Sequence, residues 1–190
     1  ARIFDHQTFF IVMPILTFTS DFGSSDHLVG IVKGEFAKFN EGLNIIDITH
    51  NIVPYNYMQA AYVCKGLPMS FPAETIHMIL VNSFDENMDH LLLAKHSDQY
   101  YAAPDNGILT MILNGNPDEV VALPFPANMR KTIRNFSTIF VEAFSSLLSG
   151  VALRKIGTPI SSIRERNMMK PLYTNQYIEG QILMIDRFLN

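Results

Sequence analysis

The sequence predicts an α/β fold, in which a mostly parallel sheet flanked by helices is followed by the start of a small β-barrel domain that is incomplete here. Two observations support this prediction. Short apolar runs rich in β-branched residues alternate with segments of helical periodicity, which is typical of βαβ units. The last apolar run, Tyr177 to Asp186, reads as a strand that no later strand pairs with.

The first strand ends abruptly in polar residues. Ile15 to Thr19 is a run of residues that favour β-strands, and Ser20 and Asp21 follow it, with Gly23 two residues later. Ligands of open α/β sheets bind at the carboxyl ends of strands, where a carboxylate is suited to accept two hydrogen bonds from a ribose diol. Asp21 is also in a position to cap the next helix or close a turn. On this segment alone, the capping or turn interpretation is favoured.

The following elements alternate in type. The periodicity predicts helices over His27 to Asn40 (after Asp26 as a cap), Tyr57 to Gly66, Ile108 to Leu113 and Thr138 to Ser149. Short apolar runs predict strands over Leu43 to Ile48, Thr75 to Val81, Leu91 to Lys95, Gln99 to Ala103 and Glu119 to Leu123. His96-Ser97-Asp98 separates two of these strands, which predicts a hairpin attached to the same sheet.

The tetrapeptide Pro104-Asp105-Asn106-Gly107 precedes the third helix. Asn-Gly is a strong turn signal, so a tight turn that starts this helix is the simplest interpretation. Residues 157–176 lack periodicity and contain two prolines and scattered charges, which is typical of a linker. We therefore expect an α/β domain over residues 14–156, a linker over 157–176 and the first strand of a truncated β domain over 177–190.

Composition excludes several classes of partner. The net charge is −4 and lysines and arginines do not cluster, so a nucleic-acid partner is not expected. The apolar runs are shorter than the roughly 18 residues that a membrane helix needs, so no membrane association is expected. Cys64 is the only cysteine, which suits a reducing compartment, and we expect a cytoplasmic protein.

Common catalytic signatures are missing from the sequence. It contains no Gly-x-Gly-x-x-Gly, no phosphate-binding loop and no Gly-x-Ser-x-Gly elbow. Its six histidines do not pair at the spacing i, i+4 that lets two imidazoles on one helix share a metal. We therefore expect neither a cofactor nor a metal.

Seven short segments of the chain carry a family resemblance. They are Leu16 to Gly23 with Asp26, Val29 to Gly34, Ile46 to Pro54, Ala60 to Tyr62, Phe71 to His77, Pro104 to Gly107, and Ile185 to Phe188. In this order and spacing they resemble the family of S-adenosyl-L-methionine hydroxide adenosyltransferases, which is related to fluorinase and chlorinase. Each segment is weak alone, but the shared order and spacing over residues 14–190 make the resemblance specific.

The resemblance implies a homotrimer that binds S-adenosylmethionine between the first domain of one subunit and the second domain of its neighbour. It assigns Asp21 as the ribose anchor and places Asp186 near the methionine end of the ligand. Asn190 would lie near adenine, although Leu189 stands where the family has glycine. The family's adenine pocket lies largely in the second domain, so the 190 residues alone should bind S-adenosylmethionine poorly. The implied ligand-binding residues are Asp21, Phe22, Asp105, Asn106, Asp186, Phe188 and Asn190.

The departures from the family pattern fall on its catalytic groups. In the hydrolases the loop after strand three carries an aspartate and a following arginine, and a later segment supplies a histidine. Here Asn82 takes the aspartate position, Asp89 falls near the arginine position, and the later segment, Arg134 to Thr138, has no histidine. An amide cannot accept a proton at neutral pH, so Asn82 cannot act as a general base. Neighbouring acidic residues or His90 would have to substitute, or the loop is simply a solvated connection.

The sequence therefore supports three hypotheses. The first is an enzyme in which water, or a halide, attacks the ribose C5′ of S-adenosylmethionine and releases methionine, with Asn82 and Asp89 at altered catalytic positions. The second is a non-catalytic adenosine or S-adenosylmethionine binding protein that has kept the crevice and lost the triad. Product formation distinguishes these two. The third is an α/β domain whose crevice is merely structural, and ligand binding would exclude it.

Overall fold

A computed structural model describes residues 14–84, 88, 90–126, 128–168, 170–185 and 188. The strands are β1 (Ile15–Ser20), β2 (Asn44–Thr49), β3 (Ile76–Leu80), β4 (Leu91–His96), β5 (Gln99–Pro104), β6 (Glu119–Leu123), β7 (Thr158–Pro159), β8 (Leu172–Tyr173) and β9 (Ile178–Glu179). The α-helices are α1 (Leu28–Phe39), α2 (Tyr57–Lys65), α3 (Ile108–Leu113), α4 (Ile133–Leu148) and α5 (Leu153–Ile156).

The main sheet of the described residues has seven strands in the order β2-β1-β3-β5-β4-β6-β7. Strand β1 pairs in parallel with β2 and β3, and β3 pairs in parallel with β5. The predicted hairpin is present as β4 and β5, and β4 also pairs antiparallel with β6, which pairs antiparallel with β7. The predicted α/β sheet flanked by helices is confirmed. The sheet is mixed, with a parallel half that contains β1 and an antiparallel half that contains β4.

Two hydrophobic clusters cover the two faces of the sheet. On one face α1 packs against α4, where the rings of Phe36 and Phe144 stack at 5.5 Å between centroids. On the other face α2 packs against α3, with Ala60, Ala61 and Ile108 fully buried. The helices α1 and α2, which precede and follow β2, therefore lie on opposite faces. No helix in the described part of the chain is long and apolar enough to cross a membrane.

Polar caps set two helix starts. The Asn56 side chain accepts the Gln59 N–H at 3.0 Å, and α2 begins where it was predicted. Helix α4 begins at Ile133, five residues before the predicted start at Thr138, so that prediction was wrong. The Thr132 side chain accepts the Asn135 N–H at 3.2 Å, and this cap starts the helix more than one turn before the predicted start.

The region after residue 156 partly joins the main sheet. Thr158–Pro159 pairs with β6, and Ile163 is buried in the cluster on the α2 side. Farther on, Leu172–Tyr173 pairs antiparallel with Ile178–Glu179. The strand predicted over Tyr177 to Asp186 is thus shorter in the described residues, and it has a partner. The division into domain, linker and second domain stays a prediction.

Candidate active site at the carboxyl edge of the sheet

The central strands β1 and β3 pair side by side in parallel, so their carboxyl ends meet at one edge of the sheet. The chain leaves β1 through α1 on one face of the sheet and reaches β3 through α2 on the other face. In open α/β sheets such a switch point is where ligands bind, because the two connections diverge there. Asp21 follows β1 and Asn82 follows β3 within two residues. The topology therefore brings two predicted site residues to one place.

Asp21 is partly buried at this point. Its Oδ2 accepts the main-chain N–H of Asn82 at 2.9 Å. Burial raises the pKa of the Asp21 carboxyl above its ordinary value, and the hydrogen bond from Asn82 offsets part of that rise. A carboxylate offers roughly four acceptor positions, so this bond leaves capacity for a ligand's hydroxyl groups.

Asn82 is held in a left-handed conformation with φ of 48°. Asparagine adopts this region more readily than most residues, but it still costs about 1 kcal/mol or more. The surroundings fix the conformation from three sides. The main-chain N–H donates to Asp21, the side-chain Nδ2 donates to the Tyr57 hydroxyl, and the main-chain carbonyl accepts from Asn106 Nδ2 at 3.2 Å. Such strain at the carboxyl edge of a sheet is typical of a functional position.

Asp105 and Asn106 reach the same edge from β5, but their polar atoms bind other parts of the protein. Asn106 is fully buried, and its Nδ2 also donates to the Val81 carbonyl at 2.9 Å. Asp105 Oδ1 accepts the main-chain N–H of Arg164 at 2.8 Å. These contacts support the Asn82 loop and the segment around Arg164. Direct ligand contact by either residue stays a prediction.

Arg166 is a residue at this edge that the sequence did not indicate. Its Nε donates to the Asn106 carbonyl at 2.7 Å, and its guanidinium lies 4.1 Å from the centroid of the Tyr57 ring. The side chain occupies the space beside Gly107, whose φ is 93° and where a Cβ would overlap Arg166 Cγ. Gly107 therefore permits both the turn and the approach of a segment that is distant in sequence. Neither Tyr57 nor Arg166 lies in a motif that marks it as a site residue.

The remaining predicted site residues are less informative. Phe22 is partly buried and packs edge-on against Phe18 at 6.2 Å between centroids. Phe188 is 84% exposed. Asp89, Asp186 and Asn190 lie outside the described residues.

The two segments that carry catalytic groups in the hydrolase pattern meet here through aromatic rings. Phe84, two residues after Asn82, stacks on Phe136 of α4 at 5.7 Å between centroids. Ser137 is buried and donates its hydroxyl to the Ile133 carbonyl at 2.8 Å. No group of three metal-binding side chains was found in the described part of the chain.

A family model described as the SAM hydroxide adenosyltransferase N-terminal domain matches residues 16–157. The chain belongs to the SAM hydroxide adenosyltransferase family. The matched region contains both central strands, β1 and β3, together with Asp21, Asn82 and Asn106.

Members of this family with similar sequences include two proteins named (R)-S-adenosyl-L-methionine hydrolase. The one from Methanocaldococcus jannaschii is 31% identical over 106 residues, which is 53% of this chain and 40% of that protein. The one from Thermus thermophilus is 26% identical over 188 residues, which is 91% of this chain and 71% of that protein. This chain also superposes on the crystal structure of an uncharacterized conserved protein from Thermotoga maritima, with a TM-score of 0.76 and 27% sequence identity. The superposed region is 91% of this chain and 68% of the Thermotoga maritima protein.

Proposed function

We propose that this protein is an S-adenosyl-L-methionine hydrolase that produces adenosine and methionine. The observation that carries the proposal is the Asp21 carboxylate at the switch point, held by the Asn82 N–H, in a chain of this family. Two family members with similar sequences carry the hydrolase name. The matched region spans only 40% of the relative from Methanocaldococcus jannaschii, so the activity and the substrate of this protein are both part of the proposal.

The proposed reaction is a substitution at the ribose C5′. Water forms a new C5′–O bond while the C5′–S bond breaks, and the electron pair of that bond passes to sulfur. The products are adenosine, neutral methionine and one proton. The sulfonium sulfur is already a good leaving group, so no general acid is required. The protein's tasks are then to orient the ribose through Asp21 and to hold water in line with the C5′–S bond.

Asn82 limits the rate in this proposal. Its amide can orient a water molecule but cannot take a proton from it at neutral pH. General acid and base groups typically contribute about 10²–10⁴-fold in rate. We therefore expect slower turnover than in a relative with aspartate at this position, assayed side by side. Comparable rates would mean that another group acts as the base.

Assembly and location are further parts of the proposal. The family resemblance supports a homotrimer in which a neighbouring subunit completes the binding site, and the single cysteine supports a reducing, cytoplasmic setting. Sedimentation analysis of the purified protein tests the first point, and a monomer at all concentrations would contradict it.

The decisive experiment uses millimolar S-adenosylmethionine in water enriched in oxygen-18. Hydrolysis should produce adenosine with the label in its 5′-hydroxyl, above a blank without protein, and Asp21→Ala should abolish the excess. If no adenosine forms but Asp21-dependent binding is present, the protein is a non-catalytic adenosine binder. If neither is seen, the crevice is not a site for this substrate.

A further inference from the structure

The loop that carries Asp21 is held on one side by a single residue, His50. The His50 Nδ1 lies 2.8 Å from Ser20 Oγ, and its main-chain carbonyl accepts the Gly23 N–H at 2.7 Å. The two residues bonded to His50, Ser20 and Gly23, directly flank Asp21 and Phe22 in the sequence. Fixing both ends of so short a segment restricts where the Asp21 carboxylate can lie.

The strand pairing explains why His50 is needed at this place. The parallel pairing of β1 with β2 shifts register after Phe18, and its last pair is Thr19 with Thr49. His50 is the next residue along the chain. The regular pairing of β1 with β2 therefore ends at Thr49. The bonds of His50 to Ser20 and Gly23 connect the two chain segments just beyond that point.

The His50 ring is itself oriented by its neighbours. The Phe18 ring lies edge-on at 4.7 Å between centroids, and Asp47 Oδ1 lies 3.2 Å from His50 Nε2. Burial alone would raise the pKa of Asp47, but the hydrogen bond from Lys33, at 2.6 Å, and the nearby His50 ring outweigh burial and lower it. Asp47 is thus a carboxylate at neutral pH. Its charge favours the His50 proton on Nε2, which leaves Nδ1 to accept the Ser20 hydroxyl proton.

We infer that His50 is a positioning residue that sets the place of the Asp21 carboxylate through the bond between its ring and Ser20. The inference rests on the proposed function of the crevice as a ribose site. Losing one uncharged hydrogen bond typically changes an equilibrium by about five- to tenfold. We expect that loss to appear both in the order of the Asp21 loop and in adenosine affinity.

Three substitutions of His50 test the roles of its two ring nitrogens separately. His50→Asn keeps a polar atom near the position of Nδ1, His50→Gln keeps one near the position of Nε2, and His50→Ala keeps neither. The first measurement is hydrogen exchange of the Asn82 amide in the free protein, because its acceptor is Asp21 Oδ2. Exchange should accelerate about five- to tenfold in His50→Ala and His50→Gln, and stay near wild type in His50→Asn.

The second measurement is adenosine affinity by NMR titration, which should fall in the same variants and by a similar factor. Ser20→Ala removes the same bond from its other end. It should reproduce the His50→Ala result, and the double variant should add nothing further. His96→Ala is the matched control, because His96 also contacts a carboxylate, Asp118 at 3.4 Å, but lies at the far end of β4. It should change neither readout.

Unchanged Asn82 exchange in both His50→Ala and Ser20→Ala would overturn the inference. Equal behaviour of the Asn and Gln variants would do so as well, because the role would then not depend on the bond to Ser20. If exchange responds as expected while wild-type protein binds no adenosine, the positioning role holds and the proposed function fails. The exchange readout therefore separates the two claims.

Discussion

The central strands carry two polar networks that differ in how completely they are satisfied. One surrounds His77 of β3, which is fully buried. His77 Nε2 lies 2.6 Å from Gln99 Oε1, and Nδ1 lies 2.7 Å from the Thr17 hydroxyl. The Gln99 amide nitrogen reaches main-chain carbonyls and so fixes the orientation of the amide. Those carbonyls belong to Pro68, Phe71 and Pro72.

The other network lies at the carboxyl ends of the same strands. Here Asp21 is only partly buried, Asn82 has left-handed backbone geometry, and burial raises the pKa of the Asp21 carboxyl. The His77 network should stabilise the fold, because each buried group has a partner. The Asp21 network should cost stability, because it holds a partly desolvated carboxylate and a strained residue. The following predictions test that difference.

The largest expected effect is on stability, in His77→Ala. This change leaves the Thr17 hydroxyl and Gln99 Oε1 without their partner, and each orphaned buried group costs about 1–3 kcal/mol. Urea denaturation should show a loss of about 3 kcal/mol or more in the free energy of unfolding. Adenosine affinity should be unchanged below the transition. A stability loss under about 1 kcal/mol would mean that the network contributes little.

The next effect is on binding, in Asp21→Ala. Removing a hydrogen bond to a charged group costs about 1.5–3 kcal/mol, which is roughly one to two decades of adenosine affinity. Asp26→Ala is the matched control. Asp26 lies in the same loop, where its Oδ1 accepts the Leu28 N–H at 2.9 Å, and it should leave affinity unchanged. Equal affinity of Asp21→Ala and wild-type protein in an NMR titration would remove Asp21 from the site.

An effect of similar size, on stability, is expected in Gly107→Ala, because the new side chain meets both positive φ and Arg166. Strained backbone costs roughly 1–3 kcal/mol, and displacing Arg166 adds to it. Gly150→Ala carries the strain alone, since Gly150 has φ of 79° and no atom within 4 Å of a Cβ. Urea denaturation should rank Gly107→Ala as the less stable variant. The reverse order would show that packing of Arg166 against Gly107 is unimportant.

The smallest effect is a gain in stability in Asp21→Asn, which keeps an acceptor for the Asn82 N–H but carries no charge. Because the folded pKa of Asp21 is raised above its ordinary 3.8, ionisation of Asp21 destabilises the fold at neutral pH. That cost disappears as pH falls through the folded pKa toward 3.8. The variant should therefore be slightly more stable than wild type at pH 7, and the difference should shrink on acidification. A constant difference in urea denaturation across this range would contradict the assigned cause.

Local sequence signals were sufficient for most elements, including the strand that places Asp21 at the edge of the sheet. The strand ending in Ser20-Asp21, the Asn56 cap and the hairpin at Ser97 are each specified within a few residues. The partners of Asn82 were not predictable in this way. Tyr57 is 25 residues away from Asn82, and Arg166 is 60 residues from the Asn106 carbonyl it binds, so only the folded chain brings them together.

The most direct test of the central claim is an NMR titration of nitrogen-15 labelled protein with adenosine. The largest shifts of main-chain amide signals should fall on Asp21, Gly23 and Asn82 at the carboxyl edge, and they should be lost in Asp21→Ala. Signals of His77 and Gln99 should stay unchanged. Saturable shifts centred on the His77 network, or shifts at Asn82 that persist in Asp21→Ala, would contradict the placement of the ligand site at the carboxyl ends of β1 and β3.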